Sequence, residues 1–460
     1  MVLLQKLLII LKNIVILHTL YLFKSYIFVS NRLMRYLFFL LICLSFLSGR
    51  AQNADVRLED YIYTDDIKTV LLYPGIEDKE NPTRLISPPI IPIQNSLPLV
   101  LEFDDMTTSM SGLRTKIIHC NADWTKSNLN DIEFTFEYND YPLTNYEQSF
   151  STKVAYTHYR FEVPKLKLSG NYVIVVSSDR GRKTLLTRRF MIYETRVAIT
   201  AEARFSQGIK QQFSDQQIDF SMDYKGYNLI SPQQDLKVVL RKNFRFDQAK
   251  SNFKPTNVRP FDSILEYTFF DLENTFPGGN EFRYFDSRTL SGRGYGVYAL
   301  ERSAENTSLT ITPDRSRADN GYIQIEDLNG QYIVDQKESG RGSVEADYTP
   351  VLFTLKIPED PDATIYVNGA FNLWQLNDKN RMEFNPDTKV YQADILIKQG
   401  VINYEYTVVK GNPPKVDDGY VEGNYATTEN DYDILIYHRP PTSRSDLLVG
   451  YKTIEWNRRR

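Results

Sequence analysis

Hydrophobic and polar residues alternate one by one along much of the chain, which is the pattern of β-strands with one face packed against a core. β-Branched and aromatic residues, which favour strands, are frequent in these runs. The runs predict strands at residues 99–103, 113–118, 157–163, 171–176, 236–240, 322–325, 353–357 and 364–368. No stretch of ten or more residues carries a helical apolar stripe. Short strands separated by turn residues therefore predict an all-β fold of tandem β-sandwiches, of the immunoglobulin-like or early-set type.

Changes in composition along the chain predict its domain boundaries. The predicted sandwich domains are residues 52–196, 197–337 and 344–437, followed by a tail at 438–460 with a short apolar segment. The bridge at residues 338–343 is polar and rich in glycine, as expected of a linker. Turn sequences such as PGGN at residues 277–280 and DLNG at 327–330 fall between predicted strands.

Residues 34–51 have the layout of a secretory signal peptide. A basic start at Arg35 is followed by an apolar run at residues 37–47 and by small residues up to Ala51. This order predicts export, with cleavage after Ala51. The apolar run is too short to span a bilayer comfortably. We therefore expect the protein to act outside the cytoplasm.

Residues 1–33 precede this signal and are unusual in that position. Lys6, Lys12 and Lys24 interrupt their apolar residues. We favour a misplaced start, with Met34 as the initiator. The alternative is an inner-membrane helix that begins near Leu7, which the lysines disfavour because charged residues insert poorly.

Cleavage after Ala51 removes six basic residues and no acidic ones, so the formal net charge changes from −4 to −10. A protein with this charge is expected to be soluble and to have little general attraction for nucleic acid or anionic lipid. Cys120 is the one cysteine that remains, which excludes an internal disulfide and a cysteine metal cluster. The fold must therefore be stabilised by its hydrophobic core.

Sequence signatures of catalysis are lacking. The sequence has no His-Glu-x-x-His, no Gly-x-Ser-x-Gly and no phosphate-binding glycine loop. His119 and Cys120 are neighbours on a predicted strand, so their side chains point to opposite faces and cannot act as base and nucleophile. The acidic pairs at residues 104–105 and 417–418 are interpreted as turn residues rather than as glycosidase carboxylates. We predict a protein that is not an enzyme, with no catalytic, cofactor or metal site.

The third predicted domain resembles the early-set sandwich modules of the glycogen-binding type. Residues 365–374 (IYVNGAFNLW) and 398–406 (KQGVINYEY) carry this resemblance. Trp374 would be the possible carbohydrate contact, because an aromatic ring can stack on a sugar. Glu405 stands where sugar-binding members carry a basic residue. We favour a structural role for Trp374, and a secreted or surface carbohydrate-binding protein is the alternative function.

A longer set of motifs runs through the whole exported chain. These are IIHCNADW at 117–124, YEQSFST at 146–152, YTHY at 156–159, LSGNYV at 168–173, RRFM at 188–191, FPGGNEFR at 276–283, TENDY at 428–432 and RSDLLVGY at 444–451. Together they resemble the family of type IX secretion system plug proteins, over about residues 55–451.

The resemblance implies a non-enzymatic periplasmic β protein without cofactors. Members of that family associate with the very large outer-membrane β-barrel translocon, at the inner face of the outer membrane. They close its periplasmic opening when the barrel is not engaged with its other partner.

A plug needs a preformed shape and contact residues, and aromatic and arginine side chains are frequent at the centres of protein interfaces. Our candidates for partner binding are Trp124, Tyr156, Tyr159, Asn280, Glu281, Arg283 and Tyr284. The loop at residues 276–283 is the strongest of these, because its two glycines permit backbone conformations barred to other residues. The alternative is that these residues pack the core or order their own loop.

Overall fold

Residues 56–193 fold into two facing sheets that form the first sandwich. The computed structural model describes residues 17, 56–75, 85–108, 112–178 and 183–457. The predicted N-terminal extension, apart from Leu17, and the predicted signal peptide lie outside the described residues. The strands of the first sandwich are β1 (Tyr61–Ile62), β2 (Ile67–Pro74), β3 (Ile90–Pro92), β4 (Leu99–Asp105), β5 (Arg114–Cys120), β6 (Tyr141–Pro142), β7 (Tyr146–Gln148), β8 (Thr157–Glu162), β9 (Gly170–Ser178) and β10 (Lys183–Tyr193).

One sheet of the first sandwich has the order β1-β10-β9-β5-β6, with β3 parallel to β10, and the other has the order β2-β4-β8-β7. Alternate residues of the two sheets, among them Phe103, Ile117 and Tyr172, fill the space between them. Strand β4 is buried along its whole length, because its second face packs against the third sandwich. This explains why Leu99 to Asp105 do not show a solvent-exposed face.

The chain then crosses into a second and a third sandwich. The strands that follow are β11 (Ala198–Phe205), β12 (Asp215–Asp223), β13 (Leu236–Lys242), β14 (Lys250–Ser251), β15 (Asn257–Arg259), β16 (Ile264–Tyr267), β17 (Thr275–Pro277), β18 (Arg283–Asp286), β19 (Val297–Arg302), β20 (Thr307–Ile311), β21 (Asp314–Arg315), β22 (Tyr332–Val334), β23 (Tyr348–Lys356), β24 (Ala363–Asn368), β25 (Glu383–Asn385), β26 (Val390–Lys398), β27 (Gly400–Lys410), β28 (Lys415–Asp417), β29 (Asn430–His438) and β30 (Leu447–Trp456). Among the described residues of the range 56–457, the helices of three or more residues are single turns, at Asp131–Phe134, Pro232–Asp235, Gly342–Glu345, Gly419–Glu422 and, as a 3₁₀ turn, Ala370–Asn372. The predicted all-β fold of sandwich domains is therefore confirmed.

The third sandwich is inserted into the second. The second sandwich consists of the sheets β11-β12-β16-β15, with β17 beside β12, and β14-β13-β29-β30. The third consists of β18-β27-β22, with β24 and β28 also on β27, and of β19-β20-β23-β26-β25, with β21 beside β23. Strand β13 pairs with β29, so that Val238 lies opposite Ile436 although the whole third sandwich separates them in sequence.

This insertion corrects the predicted boundaries. Residues 283–334, which the sequence predicts to lie in the middle domain, provide strands to the third sandwich. Residues 430–456, divided in the prediction between the third domain and a tail, complete the second sandwich. The reason is that strand pairing between distant segments leaves no mark on local composition. All three sandwiches belong to one compact unit that begins at Val56.

The predicted strand at residues 322–325 is wrong, because these residues form no strand. Tyr322 packs against Tyr425, with ring centroids 5.8 Å apart, and its hydroxyl donates to Glu281. Ile323 points into solvent. The alternating pattern here arises because Tyr322 packs against another segment of the chain. Residues 322–325 do not pair with a neighbouring strand.

His119 and Cys120 lie side by side on β5 and are both buried. The imidazole of His119 meets the ring of Tyr172 edge-on, with centroids 4.8 Å apart. Burial raises the pKa of the Cys120 thiol to about 12 and lowers the pKa of His119 to about 4. Both groups are therefore neutral in the folded protein near neutral pH, and neither has the charge state of a thiolate–imidazolium pair.

Candidate functional site

Tyr156 lies at the junction of the first and third sandwiches, with 1% of its surface exposed. Its hydroxyl donates to the carbonyl oxygens of Ala346, at 2.8 Å, and Ser343, at 3.2 Å. Its ring meets that of Tyr348 edge-on at 5.4 Å, and the Lys398 ammonium lies 4.1 Å from the ring centroid. Tyr156 is therefore occupied by contacts within this chain and does not present a surface to a partner.

A buried ionic network stands next to Tyr156. The carboxylate of Asp104, from the first sandwich, accepts hydrogen bonds from Lys398 and Tyr348 of the third, each at 2.6 Å. His158 lies 2.7 Å from the other oxygen of Asp104. Burial alone would raise the pKa of Asp104, but the Lys398 ammonium and the bond to His158 outweigh it and hold that pKa below its ordinary value. The network joins the two sandwiches through a charge that solvent does not reach.

Trp124 lies at the junction of the first and second sandwiches. It has a positive φ of 63°, which is uncommon for a bulky residue. Its ring meets Phe246 of the second sandwich edge-on at 5.0 Å. The guanidinium of Arg189 lies 3.8 Å from the Phe246 ring, and that of Arg241 lies 4.3 Å from it. The local turn thus places the tryptophan in an aromatic and cationic contact between two sandwiches.

Tyr159 is buried inside the first sandwich. Its ring stacks on Phe103 with centroids 5.2 Å apart. Burial raises the pKa of its hydroxyl to about 12. Tyr159 is thus a core residue, and the predicted surface role does not suit its position.

The predicted loop at residues 276–283 is the outgoing linker from the second to the third sandwich. It lies against the returning linker, residues 422–430. The amide of Gly279 donates to the side chain of Asn424, at 3.1 Å, and its carbonyl accepts from the amide of Tyr425, at 2.9 Å. A side chain at Gly278 would lie 2.1 Å from the carbonyl oxygen of Tyr425. Gly278 is required because two backbones cross here in direct contact, and Gly279 is favoured because its φ of 72° lies in the left-handed region.

Asn280 and Glu281 fix the same crossing. The side-chain amide of Asn280 donates to the carbonyl of Glu422 at 2.8 Å. The buried carboxylate of Glu281 accepts from the amide of Glu429 at 3.1 Å and from the hydroxyl of Tyr322. Burial raises the pKa of Glu281 above its ordinary value. Both side chains order the linkers of their own chain.

Arg283 and Tyr284 lie on β18 of the third sandwich. Arg283 forms ion pairs with Asp314, at 2.6 Å, and with Glu422, at 3.0 Å. Burial would lower the pKa of this guanidinium, but the two carboxylates outweigh it and raise that pKa. Tyr284 stacks on Tyr295 with centroids 4.4 Å apart, and Tyr295 is exposed. Of the predicted contact residues, Tyr284 and Tyr159 each border an exposed aromatic side chain, Tyr295 and Tyr146 respectively.

Trp374 packs between the second and third sandwiches. The guanidinium of Arg245 lies 4.0 Å from its ring, and Phe282 meets it edge-on at 5.9 Å. A side chain at Gly330 would lie 2.5 Å from the indole. The ring therefore stacks on a cation of this chain where a sugar would have to stack. Glu405, noted in the sequence as an unexpected acid, binds Arg245 at 2.7 Å.

A cleft of about 460 Å³ opens where the three sandwiches meet. Arginines from two of the sandwiches line it, and each pairs with a carboxylate of this chain: Arg188 and Arg189 with Asp60, Arg241 with Asp433, and Arg245 with Glu405. These ion pairs join the sandwiches, but Arg188 and Arg189 share the single carboxylate of Asp60, so the pairs do not neutralise every arginine of the cleft.

Exposed apolar side chains form two groups that the sequence analysis did not single out. On the first sandwich they are Ile132, Phe136 and Tyr138. At one end of the second sandwich they are Ile209, Phe213 and Phe270. Both groups lie in polar segments that show no hydrophobic periodicity. The one sequence signal for either group is the presence of isolated large apolar residues in such a segment. Exposed apolar groups are candidates for protein or membrane contact.

Membrane-spanning helices and clustered metal ligands are absent from the residues that the structure describes. No helix among them is long and apolar enough to cross a membrane. Within the same residues, no group of three or more histidine, cysteine, aspartate or glutamate side chains is arranged to hold a metal ion.

The first sandwich matches a known protein family. Residues 67–194 match the model described as "Type 9 secretion system plug protein 1st domain". The chain is also similar to a crystal structure of a hypothetical protein from Parabacteroides merdae, at 29% sequence identity and a TM-score of 0.81. That similarity covers 87% of this chain and 100% of the other, and so extends well beyond the first sandwich. No curated protein matches the chain. The match of the first sandwich confirms the resemblance to the type IX secretion system plug family.

Proposed function

We propose that this protein is a non-enzymatic periplasmic component of the type IX secretion system that binds the outer-membrane translocon barrel and blocks its periplasmic opening. The observation that carries the proposal is the match of residues 67–194 to the first domain of plug proteins. The protein acts by shape, because its strongest polar groups bind one another.

The rigidity of the molecule supports this role. Each pair of sandwiches is joined by buried or half-buried contacts: Asp104 with Lys398, Trp124 with Phe246, and Arg245 with Glu405. Breaking any of them would leave a buried charge or an apolar surface without a partner. A body joined in this way keeps one shape in the free state, which lowers the entropic cost of binding to a fixed opening.

The exposed apolar group on the first sandwich is the partner surface that we favour. It belongs to the domain that matches the plug family, and its loop is fixed rather than loose. The Lys167 ammonium donates to the carbonyl of Ile132 at 2.8 Å and lies 5.2 Å from the ring of Phe136. Tyr138, next to them, is among the most exposed aromatic residues of the chain.

Affinity capture from detergent extracts of outer membranes tests the proposal. We expect the large translocon barrel to co-purify with the tagged protein. Replacing Ile132, Phe136 and Tyr138 together with serine should reduce capture about tenfold or more, because central apolar contacts dominate interface energies. The fold should be retained, since all three side chains are exposed.

A matched control is the serine replacement of Ile209, Phe213 and Phe270, which removes a similar exposed apolar group from the second sandwich. Capture should persist in that variant. Recovery of the wild-type protein without any barrel, from extracts in which the barrel keeps its other partners, would contradict the proposal.

A further inference from the structure

Strand β11 is an edge strand of the second sandwich, and among the described residues no strand pairs with its outer side. It pairs with β12 over all 8 of its residues, from Ala198 opposite Asp223 to Phe205 opposite Gln216, without a break in register. Strand β30 of the facing sheet approaches it through side chains, where Phe205 meets Trp456 edge-on at 5.1 Å, but does not pair with it. A free edge of this length can serve as a template for another strand.

The hydrogen bonds next to β11 show which of its main-chain groups point outward. The amide of Ser206, directly after β11, donates to the carbonyl of Asp215 at 3.1 Å. Hydrogen-bonded and non-hydrogen-bonded pairs alternate along an antiparallel ladder, so the even-numbered residues of β11 bond to β12. The amides and carbonyls that point away from β12 are therefore those of the odd-numbered residues Ile199, Ala201, Ala203 and Phe205.

The other side of β12 confirms this assignment. The amide of Ile218 donates to the carbonyl of Asn274 at 3.2 Å, and that of Tyr224 donates to the carbonyl of Ser263 at 2.9 Å. Even-numbered residues of β12 thus bond away from β11. Its odd-numbered residues bond toward β11, where each lies opposite an even-numbered residue.

The outward main-chain groups of β11 are unprotected. Within the described part of the chain they have no hydrogen-bond partner. Ala201 and Ala203 are small and partly exposed, so no bulky side chain of their own covers the main chain there. The strand also lacks the proline, the lysine and the bulge with which proteins commonly prevent an edge from pairing.

Comparable edge strands of this chain are protected in these ways. Strand β2 contains Lys68 and Pro74 and has a break in its register, and β19 has a break as well. At the start of β30, the carbonyl of Leu448 accepts a hydrogen bond from the amide of Glu194 at 2.8 Å. The regular, open edge of β11 is therefore not a general property of the fold.

Charged side chains on the outer face of β11 indicate what fits this edge. Glu202 is exposed and has no ion pair among the described residues, and it lies opposite another acid, Asp219. Arg204, two residues further on, pairs with Asp219 at 2.6 Å and remains partly exposed. The strand thus presents an acid without a counter-charge close to an arginine, and both face solvent.

A second copy of β11 matches both the main-chain groups and the charges. In an antiparallel pair centred on Ala203, the outward groups of Ala203 face those of Ala203 in the second copy, and those of Ala201 face those of Phe205. These three pairs form about six main-chain hydrogen bonds. The same register places Glu202 opposite Arg204 of the second copy, on both sides of the centre. A register centred on Glu202 would instead oppose two like charges, which is destabilising.

We propose that the outer edge of β11 binds the same edge of a second copy of this chain, so that the second sandwiches of two chains share one continuous sheet. Ala203 lies on the two-fold axis, and each Glu202 pairs with Arg204 of the other copy. Such an interface uses one patch on both chains, as two-fold symmetry requires. This dimer goes beyond blocking a translocon and does not depend on it.

Sedimentation equilibrium of the purified exported protein tests the proposal. We expect a monomer–dimer equilibrium with a dissociation constant of the order of 10 µM, because the interface is small. Ala203→Pro should weaken the dimer more than about tenfold, because proline lacks the amide hydrogen that points to the second copy. The fold should be retained, since this amide has no bond within the chain and edge strands tolerate proline. Circular dichroism verifies the fold of every variant.

Charge reversal tests the register separately. Glu202→Arg keeps the pair of Arg204 with Asp219 and should weaken the dimer about tenfold, because arginines then face each other twice. Arg204→Glu should weaken it as well. A mixture of these two variants should form a heterodimer, since every opposed pair then joins opposite charges. The matched control is Glu301→Arg, an exposed acid on the edge strand β19, which should dimerise as the wild type does.

The proposal is overturned if the wild type is a monomer at about 100 µM. It is also overturned if Ala203→Pro or Glu202→Arg dimerises as strongly as the wild type, or if the mixture of folded charge variants stays monomeric. A monomeric wild type whose capture of the translocon is lost in Ala203→Pro would show that the edge binds a different protein. Dimerisation of a protein that captures no barrel would support this interface and contradict the plugging role alone.

Discussion

Replacing Lys398 with methionine is expected to lower the free energy of unfolding by about 3–5 kcal/mol, because the Asp104 carboxylate then stays buried without its main counter-charge. The side chains of Asp104 and Lys398 are 1% and 2% exposed, and their charged atoms lie 2.6 Å apart. Urea unfolding followed by circular dichroism measures the loss. Because the pair joins the first and third sandwiches, the change should also loosen their junction.

Lys410 provides a matched control for this prediction. It pairs with Asp360 at the same distance of 2.6 Å, but 43% of its side chain is exposed. Replacing Lys410 with methionine should leave the stability close to that of the wild type, because exposed ion pairs contribute little. Equal losses in the two variants would show that burial of the Asp104 pair is not what stabilises the junction.

The buried pair of Asp104 and Lys398 also predicts that the stability of the protein depends on pH. The pKa of Asp104 is held below its ordinary value, so its ionised form contributes stability above the unfolded carboxyl pKa. This contribution is lost as the pH falls through the folded pKa. The difference in stability between wild type and the Lys398→Met variant should therefore be largest near neutral pH and should narrow below about pH 4.

Replacing Gly278 with alanine is expected to destabilise the protein by about 3 kcal/mol or more, at the upper end of the cost of overpacking. The new Cβ would lie 2.1 Å from the carbonyl oxygen of Tyr425, and backbone cannot rotate away as a flexible side chain can. Relief requires the outgoing and returning linkers to separate. We therefore expect a lower unfolding midpoint and faster proteolysis within residues 422–430.

Gly321 serves as the control for Gly278, because a Cβ built there meets no atom within 4 Å. Its alanine variant should differ from the wild type by about 0.5 kcal/mol or less. If the Gly278 variant is as stable and as resistant to proteolysis as the Gly321 variant, the two linkers are not in the close contact that the fold requires.

The sequence predicts the strands well because alternation is a local property. The predictions at residues 99–103 and 171–176 coincide with β4 and β9, whose inner faces follow the expected period of two. The insertion of the third sandwich could not be predicted in the same way. Strand β29 pairs with β13 in one sheet, and the local sequence of Asn430 to His438 does not indicate which distant strand it pairs with.

The candidate contact residues show a second limit. Trp124, Tyr156 and Arg283 have the composition of interface residues, and the structure places them at contacts within one chain. The same chemistry serves contacts between sandwiches and contacts between proteins, so residue type cannot distinguish the two. The exposure of Ile209 and Phe213 could not be predicted from the sequence, because a lone apolar residue in a polar loop is not part of a periodic hydrophobic pattern.

Conductance of the purified translocon barrel in a planar bilayer tests the central claim most directly. Addition of this protein to the periplasmic side should close the open barrel, and the serine variant of Ile132, Phe136 and Tyr138 should close it only at much higher concentration. A barrel that binds the wild-type protein and still conducts at its full level would contradict the account.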